Sequence, residues 1–197
     1  MSPADDRVSF AQQYLSELRS ILVCVPVQDL ARALEVLDGA LDQRKFVFLV
    51  GNGGSAATAS HMANDLQKGI ATGGGKGIRA IALTDNASLL TAIANDESYE
   101  EVFSGQLKCL ASAGDVLIVF SGSGNSLNVV RAVETAHDMG LTTIGFLGMG
   151  GGKLSQMVDV SVVVPADSYG PIEDVNMVFD HLTMAYLLRR QQLEWSE

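Results

Sequence analysis

Five short apolar runs rich in β-branched residues constrain this chain most: KFVFLV at 45–50, IRAIAL at 78–83, VLIVF at 116–120, TTIGFL at 142–147 and VSVVV at 160–164. Most are continuously apolar rather than alternating, so they predict strands covered on both faces. Helix-like segments separate them, at 55–68, 86–94, 99–113 and 126–139, with a short one near 152–157. Strands alternating with helices predict a mainly parallel sheet between two helical layers, a three-layer α/β sandwich. A long closing helix is predicted over 172–190, with an apolar stripe of Ile172, Val175, Phe179, Leu182 and Tyr186.

Ahead of the first strand, residues 8–44 read as two helices broken near Pro26. Phe10, Tyr14, Leu18 and Ile21 are spaced 4-4-3, and Leu30, Leu34, Leu37 and Leu41 are spaced 4-3-4. Such narrow stripes suit helices packing on helices, either of a partner subunit or of their own domain. The organisation expected is one domain over 1–197, with N-terminal helices at 1–44 and an α/β core at 45–197. A glycine-rich loop, GGGKG, interrupts it at 73–77.

Composition narrows the functional classes. A length of 197 residues supports a substantial core, and 47% hydrophobic with 18% charged residues is the balance of a folded globular chain. The net charge of −10, with no basic run to offset it, argues against a nucleic-acid partner. An anionic ligand must therefore be held by local backbone N–H groups and hydroxyls. Cys24 and Cys109 have no CxxC spacing and read as two buried, reduced thiols. The acidic start MSPADD lacks an apolar signal core, and no apolar run reaches the ~18 residues of a membrane span. A cytoplasmic protein without membrane contact is expected.

Ligands of open α/β sheets bind beyond the carboxyl ends of the strands. Two strand ends here share one chemistry. The first leads into Gly51-Asn52-Gly53-Gly54-Ser55, the third into Ser121-Gly122-Ser123-Gly124-Asn125-Ser126. Glycines admit close backbone approach, a helix N-terminus offers free N–H donors, and serines add hydroxyls. One such turn reads as a helix start with serine as N-cap; two on one sheet edge favour a phosphate site. Neither is GxGxxG followed by an acidic ribose contact, and no GxxxxGK[ST] is present, so a small phosphorylated metabolite fits better than a nucleotide.

His61 and Asp65 stand at i,i+4 on the helix after the first turn, and Glu173 and His181 lie eight residues apart on the closing helix. Two His/carboxylate pairs from two helices suit one divalent metal, or equally a general base and a general acid. His137, near a helix end before Gly140, reads as a structural residue.

Taken together, GNGGSAATASHMANDL, TAIANDESYEEVF, GDVLIVFSGSGNS and IEDVNMVFDHL resemble the bacterial phosphoheptose isomerases of the SIS (sugar isomerase) family of phosphosugar-binding domains, in order and spacing from about residue 10 to 190. The resemblance implies a flavodoxin-like five-stranded parallel sheet, a homotetramer with sites shared between subunits, and aldose–ketose isomerisation of sedoheptulose 7-phosphate toward envelope heptose. It implies phosphate contacts from Ser55, Ser121, Ser123 and Ser126, and sugar-hydroxyl contacts from Asn52 and Asp96. Gly53 and Glu173 complete the implied substrate-binding set. Asp65 falls where the family has its catalytic glutamate and His181 matches its catalytic histidine. In members that bind zinc, the ligands would map to His61, Asp65, Glu173 and His181.

Several positions depart from the family pattern. Asp65 is one methylene shorter than glutamate, Glu173 stands for a glutamine, and Gly122 for a threonine. Ser168-Tyr169-Gly170-Pro171 replaces a segment that carries an arginine, and Lys68 lies one place before another missing arginine. These changes leave open an isomerase of a different sugar phosphate. A non-catalytic, initiator-associating relative is the other alternative, opposed by the retention of His181 and of a carboxylate at 65.

Overall fold

Strand β1 (Phe46–Val50) shows how the sheet is covered. Its alternate side chains Val47 and Leu49 enter one apolar cluster, while Phe48 and Val50 enter another on the opposite face. All four are fully buried, each contributing about 1.5–3 kcal/mol by leaving water. A strand buried on both faces needs a helical layer on each, as the continuous apolar runs predict.

The structure is a computed structural model that describes residues 3–71 and 75–194. Part of the GGGKG loop lies outside the described residues. Two helices, α1 (Pro3–Val23) and α2 (Val27–Asp42), precede β1, and Pro26 sits at the break between them. Then follow α3 (Gly54–Asn64), which runs into a π-helical turn over Asp65–Gly69, β2 (Arg79–Ala82), α4 (Ala87–Asp96), α5 (Ser104–Leu110) and β3 (Val116–Ser121). The chain continues through α6 (Leu127–Asp138), β4 (Thr142–Leu147), β5 (Val160–Val163) and α7 (Tyr169–Glu194). The five strands are all parallel, in the order β2-β1-β3-β4-β5. This is the flavodoxin-like arrangement within a three-layer α/β sandwich.

The helical layers differ in origin. On one face Leu30, Leu37, Met62, Leu66, Ile172 and Phe179 from α2, α3, its π-helical turn and α7 pack on Ile118, Phe120, Ile144 and Phe146. On the other, Leu107 of α5 and Val129 and Val133 of α6 pack on Leu117 and Val119. Helix α1 joins the first layer by its C-terminal half, where Ile21 is buried, and Tyr14 donates a 2.6 Å hydrogen bond to Asp174 of α7. Its N-terminal half leaves Phe10 exposed. Helix α4 buries none of its residues although its sequence is largely apolar.

Two expectations are corrected. Cys24 and Cys109 are exposed, because one lies in the turn after α1 and the other on the outward side of α5. On α7, Leu182 and Tyr186 are 39% and 37% exposed, while Asp180 and Thr183 are 1% exposed. The stripe turns because the buried face of α7 carries polar residues after Phe179. Tyr186 instead donates to Asp38 of α2 at 2.6 Å, beside an Arg190–Asp42 pair at 2.7 Å.

Candidate active site

The sheet order reverses between β1 and β3, and a parallel sheet opens a crevice at that point beyond its strand ends. Both glycine- and serine-rich turns lead out of those two strands. A cavity of about 310 Å³ lies between them, lined by Asn52, Gly53, Gly54, Ser55, Ser121, Gly122, Ser123 and Ser126, with Phe120 below and Tyr169 and Glu173 of α7 alongside. Seven of the eight substrate-binding residues predicted from sequence therefore meet in one place.

The serines here are not consumed as helix caps. Gly53, at φ +57, holds the N-cap position of α3, a left-handed conformation that favours glycine. Ser55 is buried inside the first turn. Ser126 is the N-cap residue of α6 but makes no capping hydrogen bond. The first-turn N–H groups of α3 and α6 and these hydroxyls form a set of donors suited to an anion. Ser121 accepts from the Gly124 N–H at 3.1 Å, which fixes the shape of the second turn.

Asn128, Tyr99 and Tyr169, which sequence reasoning missed, hold this pocket. Asn52 and Asn128 exchange two amide hydrogen bonds of 2.9 and 2.8 Å, and the Tyr99 hydroxyl donates to Asn52 at 2.9 Å. Nothing short of the fold would have paired residues 76 positions apart. A Cβ at Gly122 would lie 2.7 Å from the Tyr169 ring, so the small residue and the ring are matched. At Gly54 a Cβ would collide with the Glu173 carboxylate. Glu173 thus rests against the first turn of α3, where a negative charge is favoured by the helix dipole. Asp96 stands apart: it is exposed at the end of α4, bonded to Asn95 at 2.8 Å, and does not line the cavity.

The second group lies at the other end of α3. His61 Nε2 is 3.7 Å from Asp65 Oδ2 and 3.7 Å from Asp180 Oδ2, and 3.3 Å from His181 Nε2. One donor atom from each of these four residues lies within 4.8 Å of all the others. The π-helical turn starts at Asp65 and packs on α7, which brings the residue to the second helix. Both histidines are exposed and both carboxylates buried. The cluster thus has a wet, imidazole-lined side and a dry, acidic side.

Glu173 does not belong to this cluster; Asp180 takes its place. The reason is helical geometry. Eight residues separate Glu173 from His181, a rise of about 12 Å along the axis, whereas Asp180 is next to His181. The DH dipeptide at 180–181 was the available signal, obscured by reading Leu182 and Tyr186 as the buried stripe.

A divalent ion fits the donors. Asp180 is 1% exposed and neither of its carboxylate oxygens has a hydrogen-bond partner. Burial first, and the Asp65 charge second, push its pKa up to about 7. A buried carboxylate beside another needs a proton or a cation to neutralise it. Two imidazole nitrogens on a tetrahedral zinc with bonds of about 2.0–2.1 Å stand roughly 3.3 Å apart, the separation seen between His61 and His181. His137 instead meets Thr143 at 3.1 Å and Asp159 at 3.7 Å, a structural role as expected.

Comparison with known proteins agrees with this architecture. Residues 13–148 match the SIS domain family. The phosphoheptose isomerase of Aliarcobacter butzleri is 42% identical over 154 residues, covering 78% of this chain and 81% of that protein. The phosphoheptose isomerase of Aquifex aeolicus is 37% identical, over 85% of this chain and 87% of that protein. Among solved structures, the phosphoheptose isomerase of Neisseria gonorrhoeae superposes with a TM-score of 0.84 at 32% identity, covering 93% of this chain and 98% of that one.

Proposed function

This chain belongs to the SIS domain family, among its phosphoheptose isomerases, and we propose that it interconverts sedoheptulose 7-phosphate and D-glycero-D-manno-heptose 7-phosphate. The observation that carries the reading is the division of the site along α3. Phosphate-type donors lie at its first turn, and titratable side chains begin six residues on at His61, about 9 Å along the axis. An open-chain seven-carbon sugar phosphate is long enough to reach between them.

Each end then has its task. Ser55, Ser121, Ser123 and Ser126, with the helix N-termini, hold the phosphate and so position the far end of the sugar. Asn52, Gly53 and Glu173 face the sugar hydroxyls in the same pocket. Moving the carbonyl between C1 and C2 requires a proton to leave one carbon and return to its neighbour. Asp65, 9% exposed and 3.7 Å from His61 Nε2, is the base for that transfer. His181, whose Nε2 faces the cluster, carries the proton between the two oxygens through Nδ1. His61, Asp65 and His181 would hold a zinc ion, which would supply Lewis acidity to the reaction.

The assembly we infer is a homotetramer in which neighbouring subunits share sites. The apolar residues left exposed on α1, and an α4 that buries nothing, support association. Asp96, at the end of α4, then serves a neighbour's pocket rather than its own. A cytoplasmic location suits a phosphorylated substrate whose charge keeps it from crossing membranes; among the described residues no helix is long and apolar enough to span one. The product would enter heptose synthesis for the cell envelope.

The test is turnover of sedoheptulose 7-phosphate, measured after chelation and again with zinc restored. Conversion to the aldoheptose, lost on chelation and regained with zinc, is the expected result. Failure to convert under either condition would overturn the assignment.

A further inference from the structure

The fourth corner of the His/Asp cluster is held by a residue outside the ligand set implied by family resemblance. That set takes its fourth ligand from position 173. Here the Glu173 carboxylate lies in the serine-lined cavity against Gly54. Asp180 is 1% exposed, and both its oxygens lack a hydrogen-bond partner. Its Oδ2 lies 3.7 Å from His61 Nε2, in the group that also contains Asp65 and His181.

We propose that Asp180, and not Glu173, is the fourth protein ligand of the divalent-metal site, completing a set of two imidazoles and two carboxylates. The inference rests on reading this cluster as a metal site and not on which sugar is isomerised. A buried carboxylate without donors is costly. A dication held by Asp65 and Asp180 removes that cost for both. The separations of 3.3, 3.7 and 3.7 Å centred on His61 are close to the edges of a tetrahedral site with N and O ligands. Two carboxylates make the donor set electrically neutral with a dication, and mixed N and O donors suit zinc among the first-row ions. Glu173 is then free to serve the sugar end of the cavity, so one family position has changed its task while a neighbour one helical step from His181 has taken up the old one.

The experiment compares the zinc affinity of the full chain with that of Asp180→Asn and Glu173→Gln, after chelation, by competition against a chromophoric chelator. Asp180→Asn should weaken zinc binding at least 10-fold, and Glu173→Gln should leave it within about 3-fold. Loss of affinity in Glu173→Gln alone, equal affinity in all three, or no zinc binding by the unmodified chain would each overturn the proposal. A crystal of the unmodified protein soaked in zinc gives a readout independent of whether Asp180→Asn folds. The anomalous peak should lie about 2.0–2.2 Å from an Asp180 oxygen, and a peak bound by Glu173 instead would refute it. Turnover is assayed on the same preparations. Tight zinc binding through Asp180 without conversion of sedoheptulose 7-phosphate would leave this inference standing and sink the substrate reading alone.

Discussion

Helix α3 begins in a glycine turn whose donors are mainly backbone N–H groups, and ends in a π-helical turn whose working groups are titratable side chains. The first end is specified by contiguous residues: Gly53 sets the backbone, and the helix that follows presents its free donors whatever lies elsewhere. The second end has no such autonomy. His61 and Asp65 are assembled with Asp180 and His181 only by the packing of α3 on α7, with His61 and His181 120 positions apart. Sites built on backbone geometry tolerate side-chain loss; sites built across two helices concentrate their chemistry in a few replaceable atoms.

The largest effect should therefore come from the second end. His181→Ala should lower kcat by about 10²–10⁴-fold, the usual worth of a positioned acid or base, with KM changing far less. Steady-state kinetics of the purified variant check the split; a loss confined to KM would make His181 a binding residue.

The first end should answer differently. Ser121→Ala and Ser126→Ala each remove one hydroxyl from a set shared with backbone donors. Each should raise KM by about 10-fold, in line with roughly 1.5 kcal/mol for a hydrogen bond to a charged group. Both together should come close to additive if the hydroxyls act independently. A fall in kcat with KM unchanged would erase the contrast between the two ends.

Zinc should stabilise the fold through the second end only. At a free concentration 100 times its dissociation constant the metal adds about 2.7 kcal/mol, which thermal unfolding reads as a higher Tm. The shift should vanish in Asp65→Asn and persist in Ser121→Ala.

A smaller change sharpens the geometry of the first end. Gly122→Thr places a Cβ 2.7 Å from the Tyr169 ring and should displace it, raising KM several-fold. Tyr169→Ala in the same chain should restore the lost affinity. Smallest of all, His137→Gln should leave kcat and KM within about 2-fold, because its contacts are with Thr143 and Asp159, outside the cavity and the cluster.

The same contrast explains what could be read in advance. The five strands, their helices and the serine pocket were legible because apolar runs and glycine turns are local signals. The His/Asp cluster was legible only by halves. His61, Asp65 and His181 stand out by residue type and spacing, but Asp180 required knowing which face of α7 is buried. Apolarity is a proxy for burial, and it fails where a helix buries polar groups: Leu182 and Tyr186 drew the stripe outward while Asp180 and Thr183 went in. Asp96 shows a different limit. Its place in the site rests on a motif match alone, and the fold leaves it exposed at the end of α4, bonded to Asn95 and outside the cavity.

One measurement bears most directly on the division of labour between the ends of α3. Sedoheptulose 7-phosphate is incubated in D2O with the unmodified protein and with Asp65→Asn, and deuterium entering the sugar beside the carbonyl is followed by NMR. Incorporation by the unmodified protein, reduced at least 100-fold in Asp65→Asn while phosphosugar binding is retained, is the result predicted. Incorporation by Asp65→Asn at the unmodified rate would contradict the assignment of the proton-transferring group to this end of the helix.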